Sequence, residues 1–301
     1  MNHEEIVDPH SLEEAIKEDF GMSIKELERV QIGYSNRVYK GLLEGREVFV
    51  RMQKDKTLYP VEVAIYRALT KQGLPVPEIL GVQDEPSQLG QSTMILARAI
   101  GDPLGEMSLN SEQKQLLYFS AGQVLQKMHQ IKIPGFGKLI LKDEQLHGKS
   151  DTNPKRWQSV DGPTANFRYA GEHDLITPQE FRLVLDIWNR ISHLEVDQAS
   201  LVHSDYHGGH IFTDGQNITG LIDFTDATAD DSRYDIANAL FFQSPEERVV
   251  FRKGYGELAE DPMVHDYILF VAINKVGWRH KKGMLDGAAK ALKKFREELE
   301  S

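Results

Sequence analysis

The spacing of apolar and polar positions changes about a third of the way along the chain. Up to that point, short β-rich runs alternate with turn signals. RVYKGLLEG and REVFVRM meet at Glu44 and Gly45, and this pattern predicts a hairpin. Val61, Ala64, Ile65, Ala68 and Leu69 then recur at i, i+3, i+4, i+7 and i+8, which predicts a helix with one buried face. Gly73 ends it, and Pro75 and Pro77 keep it from resuming. TMILARAI, Thr93 to Ile100, predicts a buried strand that stops at Gly101, Asp102 and Pro103.

Beyond that point the spacing is helical. Leu117, Ala121, Val124, Leu125 and Met128 form one stripe, and Phe181, Val184, Leu185, Trp188 and Ile191 form another. Leu285, Ala288, Ala289, Leu292 and Leu299 mark a charged terminal helix. The stretch 142–173, rich in Gly, Pro and Asn, is expected to be irregular and outside the core. The architecture predicted is α+β and bilobal: a small β-rich N-terminal lobe over 1–100, a hinge near 97–103, and a mainly helical C-terminal lobe over 101–301.

Composition narrows the classes. With 301 residues, 40% hydrophobic and 27% charged, the chain has ample material for a core. The acidic start MNHEEIVDPH is not a secretion signal, and there is no apolar run of membrane-spanning length. Without cysteine there can be no disulfide or thiolate metal site, which fits a cytoplasmic protein. The net charge of −11, from 46 acidic and 35 basic residues, disfavours nucleic acid and favours a cationic small-molecule partner.

The densest chemical signal is LVHSDYHGGHIFTDGQNITGLIDFTDATADDSRYDIANAL, Leu201 to Leu240. IFTD and ITGLIDF flank a DGQN turn, so a hairpin is expected to draw together Asp205 and His210 before it and Asp223 after it. Carboxylates gathered in this way need a cation, and Mg²⁺ holding a polyphosphate is the usual one. Read alone, His203, Asp205, His207 and His210 would also suit a Zn²⁺ hydrolase.

HSDYHGGHIFTD resembles the H-x-D-x-x-x-x-N catalytic loop of the aminoglycoside phosphotransferase and choline kinase superfamily, and IDFTD resembles its metal-binding segment. The resemblance implies a protein-kinase-like fold, with Asp205 as catalytic base and His210 and Asp223 as Mg²⁺ ligands; His210 stands where Asn is usual. IGYSNRVYKG resembles the nucleotide-covering loop, with Ser35 and Asn36 near the phosphates. REVFVRM resembles the third strand, with Arg51 in the place of the usual Lys and Glu62 as its acidic partner. Backbone around Ala97 and Ala99 would then hold the base of ATP or GTP, making 1–100 the nucleotide-binding lobe. Asp235, an N-cap on its own reading, braces the catalytic loop on this one, and His203 supports the loop from below. Within the superfamily the hygromycin B kinases share the Arg after the third strand, the Gly135-Phe136-Gly137 turn and a segment like Asp231–Asn238.

The expected activity is therefore transfer of a γ-phosphate to a hydroxyl, with an aminoglycoside or aminocyclitol as acceptor. A metabolic small-molecule kinase and a non-catalytic nucleotide binder stay open beside it. The hydrolase reading leaves SNRVY, Arg51–Glu62 and IDFTD unexplained. Asp226, Asp230 and Asp231 read either as a solvated loop or as a carboxylate wall for a polyamine. Trp157 and Tyr169 could stack on a sugar or pin a loop.

Overall fold

The computed structural model describes residues 9–30, 37–158 and 161–300. Two compact units emerge, one running up to Gly101 and including Thr219–Thr225, the other comprising Asp102–Ile218 and Asp226–Ser301.

The first unit contains α1 (Pro9–Phe20), β1 (Ile24–Val30), β2 (Arg37–Leu43), β3 (Arg46–Gln53), α2 (Leu58–Lys71), β4 (Ile79–Gln83) and β5 (Ser92–Ala97). The strands form one antiparallel sheet in the order β1-β2-β3-β5-β4. The β2–β3 hairpin turns at Glu44 and Gly45, whose φ values of 51° and 78° give the mirror-image turn that suits strand twist. Side chains alternate along β3, so Val48, Val50 and Met52 enter a core with Leu12, Ile16, Ile24, Leu27, Tyr39 and Ile95. The same alternation sends Arg51 to the other face. The chain after α2 reverses at Gly73, φ +66°. The strand expected to reach Ile100 stops at Ala97: the N–H groups of Ala97 and Arg98, donating to Glu78 and Glu47 carbonyls, make the last sheet bonds, and Ile100 is exposed.

The second unit begins with β6 (Asp102–Pro103), α3 (Ser111–Met128), β7 (Lys132–Ile133), β8 (Phe136–Lys142), β9 (Gln145–Ser150), α4 (Asn153–Gln158), α5 (Asp161–Glu172) and α6 (Pro178–Ser192). It continues through β10 (Ala199–Val202), β11 (Ile211–Thr213), β13 (Thr228–Asp230), α7 (Ser232–Phe242), α8 (Pro245–Tyr255), α9 (Met263–Lys281) and α10 (Leu285–Leu299), while β12 (Ile218–Leu221) falls from Thr219 on in the first unit. A sheet ordered β7-β10-β13-β8-β9 carries the loop that follows β10. α9 is buried over most of its length, with α5, α6, α7 and α10 packed around it. Gly277 permits this: a Cβ there would lie 2.0 Å from the Asn166 carbonyl oxygen on α5.

Two expectations fail here. The stretch 142–173 is not irregular. It contains the end of β8, β9, α4 and α5, and Trp157, Phe167 and Ala170 within it are fully buried. Its polar composition hid a few large aromatics that carry the burial. In α10 the core contacts are Ala288, Ala291 and Phe295, while Leu285 is exposed, so the buried stripe is displaced from the predicted one. Among the described residues no helix is long and apolar enough to cross a membrane.

Candidate active site

The loop after β10, residues 203–210, is held at several points. Asp235, fully buried on α7, accepts the N–H of His203 at 2.7 Å and that of Ser204 at 2.9 Å. It also accepts from His129 Nε2 at 3.2 Å, and His129 Nδ1 in turn accepts from the Tyr255 hydroxyl at 2.7 Å. Ser204 sits at φ 68°, a left-handed conformation unusual for a side-chain-bearing residue, and these bonds hold it there. Tyr206, fully buried, donates to the Ala121 carbonyl on α3 at 2.8 Å. The Gly105 N–H donates to the Gly208 carbonyl at 2.9 Å. Asp235 is thus a brace, and the N-cap of α7 is Asp231.

Asp205 projects from this loop. His210 Nδ1–H donates to the Asp205 carbonyl at 2.9 Å. His207 Nδ1 accepts from the Gly209 N–H, so its proton sits on Nε2, 3.5 Å from the Asp205 carboxylate. Lys275 Nζ, from α9, lies 3.4 Å from the other carboxylate oxygen. Burial alone would raise the Asp205 carboxyl; the His207 hydrogen bond, the Lys275 charge and the electrostatic pull of the two imidazoles outweigh it and hold the group well below the usual carboxylate range. Burial lowers the Lys275 amine, against the pull of Asp205.

Asp205, His207 and His210 can bring ligand atoms within 4.8 Å of one another. His203 is not among them: it is fully buried and stacks on His210 at 5.7 Å. The four-ligand set expected of a hydrolase is therefore not assembled, and His203 supports the loop.

In the first unit, Arg51 pairs with Glu62 of α2, donates to Thr225 Oγ1 at 3.0 Å and lies 3.7 Å from Asp223. Those carboxylates drive its already high pKa higher still, against burial. Thr225 Oγ1 also donates to Asp223 at 2.8 Å, and Asp223 adopts φ 63°. One planar fork thus joins α2 to the 223–225 segment, a geometry that a Lys point charge does not supply. Phe224 packs edge-on against Tyr66 at 5.3 Å. Ser35 and Asn36 lie outside the described residues. Ala97 offers no free donor, because its N–H is spent on Glu78; Ala99 is buried just beyond the strand.

A cavity of about 340 Å³ in the second unit is lined by Ser204, Asp205, Asp226, Asn274 and Lys275, with Asn166, Tyr234, Asn238, Val271 and Trp278 around them. Of the predicted acidic wall only Asp226 is present. Asp230 is fully buried and paired with Arg156 at 3.1 Å, and burial pushes its carboxyl up to about 6 despite that partner. Asp231 caps α7, binds Arg233 and accepts from the Tyr267 hydroxyl. Trp157 meets no solvent; it sits among Trp188, Tyr234 and Phe270 with Arg156 over its ring at 4.6 Å. Tyr169 stacks on His173 and pins the end of α5. Pattern reasoning missed Lys275, Asn274 and Trp278. Their signal was available: an Asn-Lys pair interrupting the long apolar run of α9.

Residues 26–266 match the phosphotransferase enzyme family. The chain belongs to that family. Its activity is accordingly phosphate transfer to an alcohol group, and its co-substrate a nucleotide. Over 294 residues it is 24% identical to hygromycin-B 4-O-kinase of Escherichia coli, covering 93% of this chain and 82% of the relative. The fold is similar to that of aminoglycoside phosphotransferase APH(4)-Ia, with TM-score 0.75, 21% identity and coverage of 97% and 99% of the two chains. It is also similar to the GDP complex of aminoglycoside 2'-phosphotransferase-IIIa, with TM-score 0.69, 16% identity and coverage of 97% and 98%. The protein-kinase-like fold expected from the motifs is thereby established.

Proposed function

We propose that this phosphotransferase moves the γ-phosphate of ATP or GTP onto a hydroxyl of an aminocyclitol-type antibiotic, with Asp205 as the base. The observation that carries this reading is the over-determined loop at 203–210, which holds an ionised Asp205 at the wall of a cavity large enough for a sugar-sized group. The similarity to a hygromycin kinase supports the acceptor class, and one solved relative is a complex with AMP-PNP and hygromycin B.

In this reading the unit containing Arg51 carries the nucleotide and the unit containing Asp205 carries the acceptor. Asp205 accepts a hydrogen bond from the acceptor hydroxyl and orients its oxygen for in-line attack. The new O–P bond forms as the bond from the γ-phosphorus to its bridging oxygen breaks, and the hydroxyl proton passes to the carboxylate. Because Asp205 is held well below the usual carboxylate range, it orients more than it abstracts.

Asp223, whose carboxylate is half exposed, is the residue of the first unit that would hold Mg²⁺; in the second unit the family slot for a metal ligand falls on the imidazole of His210. The carboxylate fits a hard cation, and the imidazole is a softer ligand than the usual amide oxygen. Bound there, the ion would neutralise phosphate charge.

The deciding experiment is ADP or GDP release with hygromycin B in parent and Asp205→Ala proteins, with resistance scored in a sensitive bacterium. Release by the parent alone supports the reading, and equal release by both proteins refutes it.

A further inference from the structure

The acceptor cavity carries a cation at the point where a polycationic substrate would least tolerate one. Lys275 Nζ lies 3.4 Å from Asp205, the group that must meet the reacting hydroxyl, and 4.7 Å from the centre of the Phe242 ring. An ammonium placed beside that hydroxyl would face Lys275 at short range in a partly desolvated site, where like charges repel strongly. Arg279, one turn further along α9, also acts electrostatically on Asp205.

The rest of the lining holds one more carboxylate, Asp226, and is otherwise neutral. Asn274 donates through Nδ2 to the Phe270 carbonyl at 2.9 Å, which fixes its amide, and leaves Oδ1 buried without a hydrogen-bond partner among the described residues. Trp278 at the rim is 39% exposed and offers a ring face for a sugar.

Resting on the phosphotransferase reading above, we infer that Lys275 is a specificity-determining residue of the acceptor site: it selects an acceptor whose reacting hydroxyl is flanked by hydroxyl or carboxylate oxygens, and rejects one flanked by an ammonium. In the empty site Lys275 neutralises Asp205. With acceptor bound, it donates to the flanking oxygen while Asp205 takes the reacting hydroxyl. Amino groups elsewhere on the acceptor are compatible with this arrangement.

The test measures kcat/KM by nucleotide consumption for hygromycin B, kanamycin, erythromycin, ribose and gluconate, with the parent, Lys275→Met and Lys275→Arg. Thermal unfolding confirms that each variant folds. The expected result is a parent preference of roughly tenfold or more for its best oxygen-flanked acceptor over kanamycin. Lys275→Met should collapse that preference, mainly through KM, and Lys275→Arg should largely restore it. A parent that prefers kanamycin, or a Lys275→Met variant with the parent's ranking, overturns the inference while leaving the kinase reading standing. Nucleotide consumption by no acceptor at all would overturn both.

Discussion

Replacing Asp235 by Asn tests whether the loop that carries Asp205 is held from behind. The fully buried carboxylate takes two backbone N–H bonds, from His203 and the half-buried Ser204, and a third bond from His129. Hydrogen bonds to a charged group contribute about 1.5–3 kcal/mol each. Asn is nearly isosteric, but one of its two oxygens becomes an NH₂ that faces a donor. One backbone N–H is then left buried and unpaired, and the left-handed Ser204 loses part of what holds it. We expect a loss of about 3–5 kcal/mol, as when one partner of a buried charged network is removed. With an m-value of roughly 3 kcal/mol/M in urea, that moves the unfolding midpoint down by about 1 M or more. The loop that relaxes carries Asp205, and a displacement of about 1 Å at a reacting group costs on the order of 10²-fold in rate. The prediction is thus a joint fall in urea midpoint and in kcat/KM, with nucleotide affinity little changed because Asp235 is remote from Arg51 in sequence and lies in the other unit. Urea titration followed by circular dichroism, with steady-state kinetics below the midpoint, measures both. An Asp235→Asn protein with the parent's midpoint and the parent's kcat/KM would refute the bracing role.

Four further outcomes follow from the same geometry. Asp205→Asn should abolish turnover while nucleotide binding, measured by calorimetry, survives. Asp223→Ala should weaken nucleotide affinity in Mg²⁺ but not in EDTA; an unchanged Mg²⁺ dependence would remove it as a ligand. Trp157→Ala should cost about 3–5 kcal/mol of stability, the range for emptying a buried aromatic site, and a surface-like loss under about 0.5 kcal/mol would return it to the substrate. Asp205 has its pKa depressed in the folded protein, so it stabilises the fold above the unfolded-state value of about 3.9 and loses that contribution only as pH falls through its lower folded value; the acid limb of kcat/KM should therefore not fall at pH 4, and Lys275→Met should move it upward.

What could be read from the chain divides by the range of the interactions involved. The β2–β3 hairpin, α2, α3 and α6 follow from local patterns and turn residues, and the structure places them where those patterns end. The 203–210 cluster was legible because its polar residues are crowded into a short stretch: Asp205, His207 and His210 are neighbours in sequence and in space. Asp235 was legible as a brace only through family resemblance; its own pattern, an acid at a helix start, pointed to a cap, and Asp231 fills that role instead.

The failures share one cause. Asp226, Asp230 and Asp231 look alike in sequence, yet their fates are set by partners far along the chain: Arg156 draws Asp230 into the core, and Tyr267 and Arg233 occupy Asp231. Net charge is an indirect guide to the same question. A total of −11 says nothing about the few groups that face an acceptor, and among the residues lining the cavity those groups are Asp205, Asp226 and Lys275. Lys275 comes from α9, 70 residues beyond Asp205, and reaches it because Gly277 lets α5 close on α9 and because an apolar helix carries it inward. The field at a binding site is decided by which charges the packing brings to it, here two carboxylates and one ammonium. The cavity is the better guide, because a charge at hydrogen-bond range in a desolvated site acts far more strongly than screened surface charges a Debye length or more away.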